Sequence, residues 1–520
     1  MQLSKKNLII ILLVIIAAGL VLRLLGLVWG HGYYQTGISD DMEAFRSALS
    51  YLEGDAKAQY LGQPHFNSGK VPGPLWAMLW SLPLRFGGSP VTVILMIILL
   101  NVATIPLVYL LARRLFGQSC ALWTTLFYAV SPWPVYFSVS CNNPSAMAML
   151  GVLLFLALWD VCSTPRSANI FWVCVLLAAL PHFHMVGVFY VPFVLLVIIL
   201  SGSGINRKWL AAGILAAVVI YIPYVFGEMS NHWENTRQIL SGKSKFQLGV
   251  IKVLTSQVNV LSNVVSRWTG HHLAEYRSFG DTALDSFYVL TGFNLISVFL
   301  GILFLGNFIR DFFRRFRGRW FAPRQVFRSS PSLCFTGILL FGPVLLFVLT
   351  GHDFTTRYLC VQLPLLFCLP ALFLGKIPRM ERWRAVLAGG LILTTTFNLA
   401  ITPVFFRYQK SQIERAALFV PTLPGMEALY RALRADTPPD ARILIQWKDF
   451  TARTQGDAYE TAKTIAKYIS MRDELYFLSG KSRASRTYLL EPACLANKSN
   501  VIPVFQCNGI RLISAVSAKG

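Results

Sequence analysis

The sequence is dominated by apolar runs of about twenty residues, the length that an α-helix needs to cross the hydrocarbon core of a bilayer. Such runs recur along most of the chain, with polar segments between them. They occupy residues 7–28, 91–111, 121–137, 144–161, 170–181, 186–200, 209–226, 287–308, 333–350, 358–374 and 385–405. These eleven runs predict a mainly α fold, a polytopic membrane helix bundle.

The charge of the chain agrees with this prediction. Only 14% of the 520 residues are charged, and 47 Lys and Arg against 24 Asp and Glu leave a net charge of +23. A soluble chain carries about a quarter of charged residues, so a soluble or disordered protein is excluded. Basic residues collect in short segments between runs, including seven arginines from Arg310 to Arg328, as cytoplasmic loops require. The positive excess therefore indicates topology, with a cytoplasmic N-terminus and no nucleic-acid partner.

The segment 170–200 is the weak point of this topology. Pro181, His182 and His184 interrupt an apolar stretch that is long for one span and short for two. A single bent helix would move every later loop to the other side and place the arginine-rich loop outside. We therefore prefer two spans, which put the C-terminus outside.

The chain divides into two predicted domains. Residues 1–406 form the transmembrane domain, with large outer loops at 30–74 and 228–286. Residues 407–520 form a small extracytoplasmic α/β domain, with a helix-like opening through Arg434, a turn at 437–440 and a strand-like run at 442–447. Cys494 and Cys507 in this domain either pair in an oxidising compartment or remain free thiols.

Two adjacent carboxylates, Asp40 and Asp41, follow the first span. In a poorly solvated pocket such groups raise each other's pKa or hold a divalent cation, Mg²⁺ or Mn²⁺, and either arrangement suits activation of a hydroxyl. The alternative is that Asp40 caps a helix beginning at Asp41. Arg23, inside the first run, needs an acidic partner from the outer loop or extends its charge to the interface.

The acidic pair belongs to a longer pattern. It is followed by Gly54-Asp55, by Lys70-Val71-Pro72-Gly73-Pro74-Leu75 and by Ala112-Arg113-Arg114-Leu115-Phe116-Gly117. This order resembles the GT-C glycosyltransferases, in particular the polyprenyl-phosphate-sugar-dependent group that includes protein O-mannosyltransferases and aminoarabinose transferases of lipid A. The chain departs from the group where Gly73 splits a proline pair. It also carries Asn142-Asn143 in place of an outer-loop Asp, and an amide can serve neither as a base nor as a charged metal ligand.

The resemblance implies roles for individual residues. Asp40 would be the general base, Asp41 would orient the acceptor or hold the cation, and Lys70 and Arg357 would bind the donor phosphate. Further substrate-binding candidates are Asn142, Asn143, His184, Glu228, His352 and Tyr358. Structural alternatives remain open for several of them: a helix start at Asn143, a satisfied polar residue at a helix kink for His184, and headgroup anchors for Arg357 and Tyr358.

The resemblance implies an inverting glycosyltransferase that moves a sugar from a polyprenyl-phosphate carrier to an acceptor outside the membrane. The expected partners are the lipid-linked sugar, membrane lipids, and a glycolipid, polysaccharide or protein acceptor. The compartment is a bacterial inner membrane, or the equivalent lumenal face of the endoplasmic reticulum. A transporter or flippase is the main alternative, although the sequence shows neither a convincing internal repeat nor many charges within the spans. A non-catalytic polyprenyl-lipid-binding assembly factor is the other, because of Asn142-Asn143.

Overall fold

The structure is a computed structural model. It describes residues 4–28, 38–64, 69–86, 90–139, 141, 143–241, 249–261, 280–317, 321–349, 356–375, 423–439, 441–447, 470, 473, 484–492, 505–507 and 510–514. These residues are the described part of the chain.

Helices make up most of the described part. The α-helices are α1 Lys5–Val28, α2 Ile38–Leu52, α3 Leu75–Arg85, α4 Pro90–Phe116, α5 Gln118–Val130, α6 Pro132–Ser138, α7 Met147–Ser163, α8 Ile170–Phe183, α9 Tyr190–Ser201, α10 Arg207–Ser230, α11 Glu234–Ser241, α12 Gly249–Leu261, α13 Gly280–Phe316, α14 Pro323–Ser329, α15 Pro331–Leu349, α16 Leu363–Leu366, α17 Cys368–Leu374 and α18 Leu423–Asp436. Short 3-10 helices lie at Asn143–Ala146, Met185–Phe189 and Thr356–Gln362. A two-stranded hairpin, β1 Leu61–Pro64 with β2 Lys70–Pro72, interrupts the helices.

Within the described part, four helices are long and apolar enough to cross a membrane: α1, residues Val91–Phe116 of α4, α10 and α15. Shorter apolar helices cover Met147–Ser163, Ile170–Phe183, Met185–Ser201 and Tyr358–Leu374. These positions agree with the predicted spans. The predicted span 385–405 lies outside the described part.

Residues 121–137, predicted as one span, do not form one continuous helix. The chain forms two helices there, α5 and α6, and Ser131 between them is extended, with φ −64° and ψ 136°. Pro132 explains the break, because a proline disfavours the helical conformation of the residue before it and lacks an N–H of its own.

The ends of α8 and α9 show how the segment 170–200 is arranged. Just before α8, the Asn169 side chain donates to Asp160 at 2.8 Å, and Asp160 also pairs with Arg114 at 2.6 Å. Just after α9, the carbonyl of Gly204 accepts from the backbone N–H of Arg166 at 2.8 Å. Both ends of the segment therefore lie on one face of the bundle, called the Arg114 face. The chain crosses the bundle twice here, as the preferred interpretation predicts.

Arg23 is fully buried where α1 packs on α4 and α5. Its Nη1 donates to the carbonyl oxygens of Gly19, at 2.8 Å, and of Ala129, at 3.0 Å. Ala129 lies in the last turn of α5, where carbonyls have no partner within the helix and a positive charge is favourable. Among the described residues the partners of Arg23 are carbonyls, and its full burial differs from the extension toward the interface that the sequence offered as an alternative. An acidic partner from the outer loop stays a prediction.

Near the C-terminus, α18 precedes a four-stranded sheet. The strands are β3 Ala441–Trp447, β4 Ala484–Pro492, β5 Phe505–Cys507 and β6 Ile510–Ser514, in the order β3-β4-β6-β5. β3 and β4 are parallel, with Ala441 opposite Ala484, and the other pairs are antiparallel. The predicted helix, turn and strand of a small α/β unit are therefore present.

Candidate active site

The acidic pair lies in the first turn of α2. Because α2 begins at Ile38, Asp40 is inside the helix and does not cap a helix that starts at Asp41. Ala44, Phe45, Ala48 and Leu49 are buried on one face of α2, at the spacing of an amphipathic helix. This face orients the helix against α3 and β1.

Lys70 is the first residue of β2, directly before α3. Since α2 packs on α3, and β1 pairs with β2, one structural unit holds the helix of the acidic pair and the strand of Lys70. Lys70 is half-buried. It forms no ion pair with any residue of the described part.

The backbone of Lys70 is held by the side chain of Asn235 in α11. The Lys70 N–H donates to Asn235 Oδ1 at 2.7 Å, and Asn235 Nδ2 donates to the Lys70 carbonyl at 3.0 Å. Asn235 Nδ2 also lies 3.3 Å from the Tyr224 hydroxyl. Glu228 is fully buried, and its Oε2 accepts from the backbone N–H of Thr236 at 2.7 Å. Glu228 thus stabilises the first turn of α11, next to Asn235.

His182, at the end of α8, packs on the other end of the Lys70 segment. It is fully buried, and a Cβ atom at Gly73 would lie 1.9 Å from its Nδ1 and Cε1. The Tyr221 ring meets the His182 ring edge-on, with centroids 4.8 Å apart. Neither ring nitrogen of His182 has a hydrogen-bond partner in the described part. The sequence pattern had favoured His184 of the same Pro-His-Phe-His stretch, and His182 was not among the predicted site residues.

The side chain of His184 contacts a different part of the fold from that of His182. Its backbone is extended, and its Nδ1 accepts from the N–H of Val186 at 3.1 Å. The ring lies against Tyr358, at a centroid distance of 4.8 Å. Tyr358 is buried and also contacts Phe347, at 4.9 Å. These contacts fit the structural alternative for His184, and the burial of the Tyr358 ring inside the protein does not fit a headgroup anchor.

Tyr60 connects the hairpin to the end of α10. Its carbonyl accepts from the Gly73 N–H at 2.9 Å, and its hydroxyl accepts from Asn231 Nδ2 at 2.6 Å. Burial raises the pKa of the Tyr60 hydroxyl, and the nearby Glu228 and Glu234 carboxylates raise it further. The hydroxyl therefore stays neutral and keeps its hydrogen bond at physiological pH.

Several predicted site residues are described only in part. Asn143 begins the 3-10 helix Asn143–Ala146, and Arg357 belongs to the 3-10 helix Thr356–Gln362, which contacts it. The side chains of Asp40, Asp41, Asn143 and Arg357 are outside the described part, as are Asn142, His352 and Cys494 altogether. Cys507 ends β5. Because Cys494 is outside the described part, the two expectations for this pair, a disulfide or free thiols, both stand. Among the described residues, no group of three or more His, Cys, Asp or Glu could hold a metal ion.

Comparison with known proteins agrees with the predicted fold. Residues 70–226 match the family model of dolichyl-phosphate-mannose-protein mannosyltransferase. The fold is similar to that of ArnT from Cupriavidus metallidurans. The apo structure aligns with a TM-score of 0.54 at 13% identity, over 96% of this chain and 97% of that chain. The structure bound to undecaprenyl phosphate aligns with a TM-score of 0.52 at 15% identity, over 99% of both chains. A search of curated proteins finds no match.

At these identities the structural likeness establishes the fold. The predicted GT-C fold is confirmed. The chain is a multi-pass membrane protein, and the family match begins at Lys70 and includes Gly73, His182 and Tyr221. Together the family match and the fold support a membrane glycosyltransferase that uses a polyprenyl-phosphate carrier.

Proposed function

We propose that the chain is an inverting glycosyltransferase that moves a sugar from a polyprenyl-phosphate carrier to an acceptor at the face that bears Lys70. One observation carries the proposal. The helix of the acidic pair packs beside the strand of Lys70, and this strand is held at both ends. The unit thus combines a candidate base with a lysine whose backbone is fixed, as a cation for a phosphate leaving group.

Each group in this unit has a chemical task. Asp40 removes the proton of the acceptor hydroxyl or amine while the acceptor atom bonds to the anomeric carbon. The bond from that carbon to the phosphate oxygen breaks, and its electron pair leaves with the polyprenyl phosphate. Lys70 and Arg357 stabilise the charge that develops on the phosphate. Asp41 orients the acceptor.

A divalent cation, Mg²⁺ or Mn²⁺, remains a proposal for Asp40 and Asp41 alone. Mg²⁺ commonly uses one or two carboxylates plus substrate phosphate, so this pair is sufficient in number. The described residues add no carboxylate or imidazole cluster to it.

The working face belongs outside a bacterial cytoplasmic membrane. The Arg114 face carries basic residues of several loops, among them Arg113, Arg166 and Arg207, and the positive-inside rule places such a face in the cytoplasm. Residues 407–520 then form a periplasmic domain beside the transmembrane domain 1–406. The acceptor is a glycolipid, a polysaccharide or a protein.

The test is transfer of radiolabelled sugar from a panel of synthetic polyprenyl-phosphate sugars. It uses the full-length protein in lipid, with cell-envelope extract as acceptor. Loss of a general base lowers turnover by about 100- to 10,000-fold, so Asp40→Asn should abolish detectable transfer, as should Lys70→Ala. Lys57→Ala removes an exposed lysine from the same loop and should leave transfer unchanged. A protein that bound the carrier, transferred no sugar, and was indifferent to Asp40→Asn would be a non-catalytic lipid-binding factor.

A further inference from the structure

The side chain of Asn235 occupies the place of a neighbouring β-strand beside Lys70. In an antiparallel strand the N–H and C=O of one residue point to the same side. At Lys70 both groups point to Asn235, at 2.7 and 3.0 Å. On the β1 side, Lys70 is opposite Pro64, which has no N–H to donate.

The surroundings of Asn235 are built for this contact. Gly69 has φ +89°, and a Cβ there would lie 2.7 Å from Asn235 Oδ1, so any larger residue would push the amide away. Asn235 is 6% exposed. Its amide is oriented by Tyr224, and the turn behind it is fixed by Glu228. The Lys70 backbone is therefore held by a side chain with few alternative positions.

We propose that Asn235 is a positioning residue for the Lys70 ammonium, and that Tyr224 and Glu228 act by supporting Asn235. The inference rests on the proposed function, because it assumes that Lys70 binds the donor phosphate. Asn235 lies beyond the region 70–226 of the family match. The contact extends the binding unit into the loop after α10. It also gives Glu228 a supporting task in place of direct substrate contact.

A lysine side chain has several rotatable bonds, so its charge reaches a fixed point only if its backbone is fixed. Removal of the amide frees the start of β2 and leaves the Lys70 charge distributed over more positions. A phosphate then binds the same lysine less tightly, because the cost of ordering the Lys70 side chain must be met on binding. The expected effect is about tenfold weaker phosphate-lipid binding, which corresponds to about 1.4 kcal/mol.

The experiment measures binding of a polyprenyl phosphate without sugar to the full-length protein in nanodiscs, by calorimetry. Asn235→Ala and Lys70→Ala are compared singly and together. We expect each single variant to weaken binding, and we expect Asn235→Ala to add nothing when Lys70 is already alanine. Asn235→Asp keeps one acceptor for the Lys70 N–H but opposes an oxygen to the Lys70 carbonyl, and should also weaken binding.

The control is Asn206→Ala at the Arg114 face. Asn206 likewise links distant backbone groups, with Nδ2 3.2 Å from the Arg166 carbonyl and Oδ1 3.4 Å from the Trp209 N–H. It should not change binding. Equal binding by Asn235→Ala and the unchanged protein, or an additional loss in the double variant, would overturn the positioning role. If Lys70→Ala itself left binding and sugar transfer unchanged, the phosphate role of Lys70 in the proposed function would fail instead.

Discussion

Replacement of Gly73 by alanine tests how the Lys70 segment is packed. Gly73 has φ +101°, and the new Cβ would lie 1.9 Å from two atoms of the His182 ring. The left-handed backbone conformation costs a residue with a side chain about 1–2 kcal/mol. Displacement of the buried ring adds about 1–3 kcal/mol of overpacking. Gly73→Ala should therefore lower the free energy of unfolding by about 2–5 kcal/mol.

A double-mutant cycle separates the two contributions. When His182 is alanine, the ring is gone and Gly73→Ala should cost only the backbone term of about 1–2 kcal/mol. Gly54→Ala is the matched control, since Gly54 has φ +79° with nothing within 4 Å of the new Cβ. The assay is SDS titration of the protein in mixed micelles, followed by tryptophan fluorescence. An equal loss from Gly73→Ala with and without His182 would refute the packing argument.

Three further substitutions test the other buried polar contacts. Pro343 cannot donate to the Leu339 carbonyl, which instead accepts from Gln362 Nε2 at 3.3 Å. Gln362→Leu should therefore lower the free energy of unfolding by about 0.5–2 kcal/mol in the same titration. Adding Pro343→Ala restores a backbone donor and should recover part of this loss. Arg23→Ala should cost about 1.5–3 kcal/mol because a charged donor to the Ala129 carbonyl is lost, and exposed Arg113→Ala should cost much less. Asp473 pairs at 2.8 Å with Arg434, whose side chain is 12% exposed, and Asp473→Ala removes this ion pair. The substitution should destabilise the C-terminal unit by about 3–5 kcal/mol, measured by hydrogen exchange of the full chain. Arg431→Ala, at an exposed arginine, should not change the exchange. Unchanged protection in Asp473→Ala would contradict the structural role of that ion pair.

Local sequence was sufficient for the elements whose cause is local. Apolar runs marked the helices because a span must bury its own backbone polar groups and present apolar side chains to lipid. The turn after α18 and strand β3 were also predictable, because turn residues are followed there by an apolar run. The order of the acidic pair, Lys70 and the proline segment along the chain resembles that of GT-C glycosyltransferases. This resemblance predicted the fold correctly.

Periodicity was insufficient where one residue changed a local rule. The run 121–137 looked like one span by composition, yet Pro132 divides it. Arg23 was expected to need an acid, and the sequence did not predict that the end of α5 supplies a carbonyl oxygen to its guanidinium. Such partners depend on which helix ends meet inside the bundle, and hydropathy carries no information about that.

The sequence by itself determined the class of molecule: a chain of apolar spans with basic residues concentrated in short loops between them. Only the tertiary structure decided which residues hold the site in place. His182 and His184 are two positions apart, but one packs on Gly73 and the other on Tyr358. Asn235 is 165 residues from Lys70 and nevertheless holds its backbone through two hydrogen bonds. Contacts of this kind arise from packing between distant elements, because the orientation of each side chain depends on where its helix ends and on which neighbour it meets.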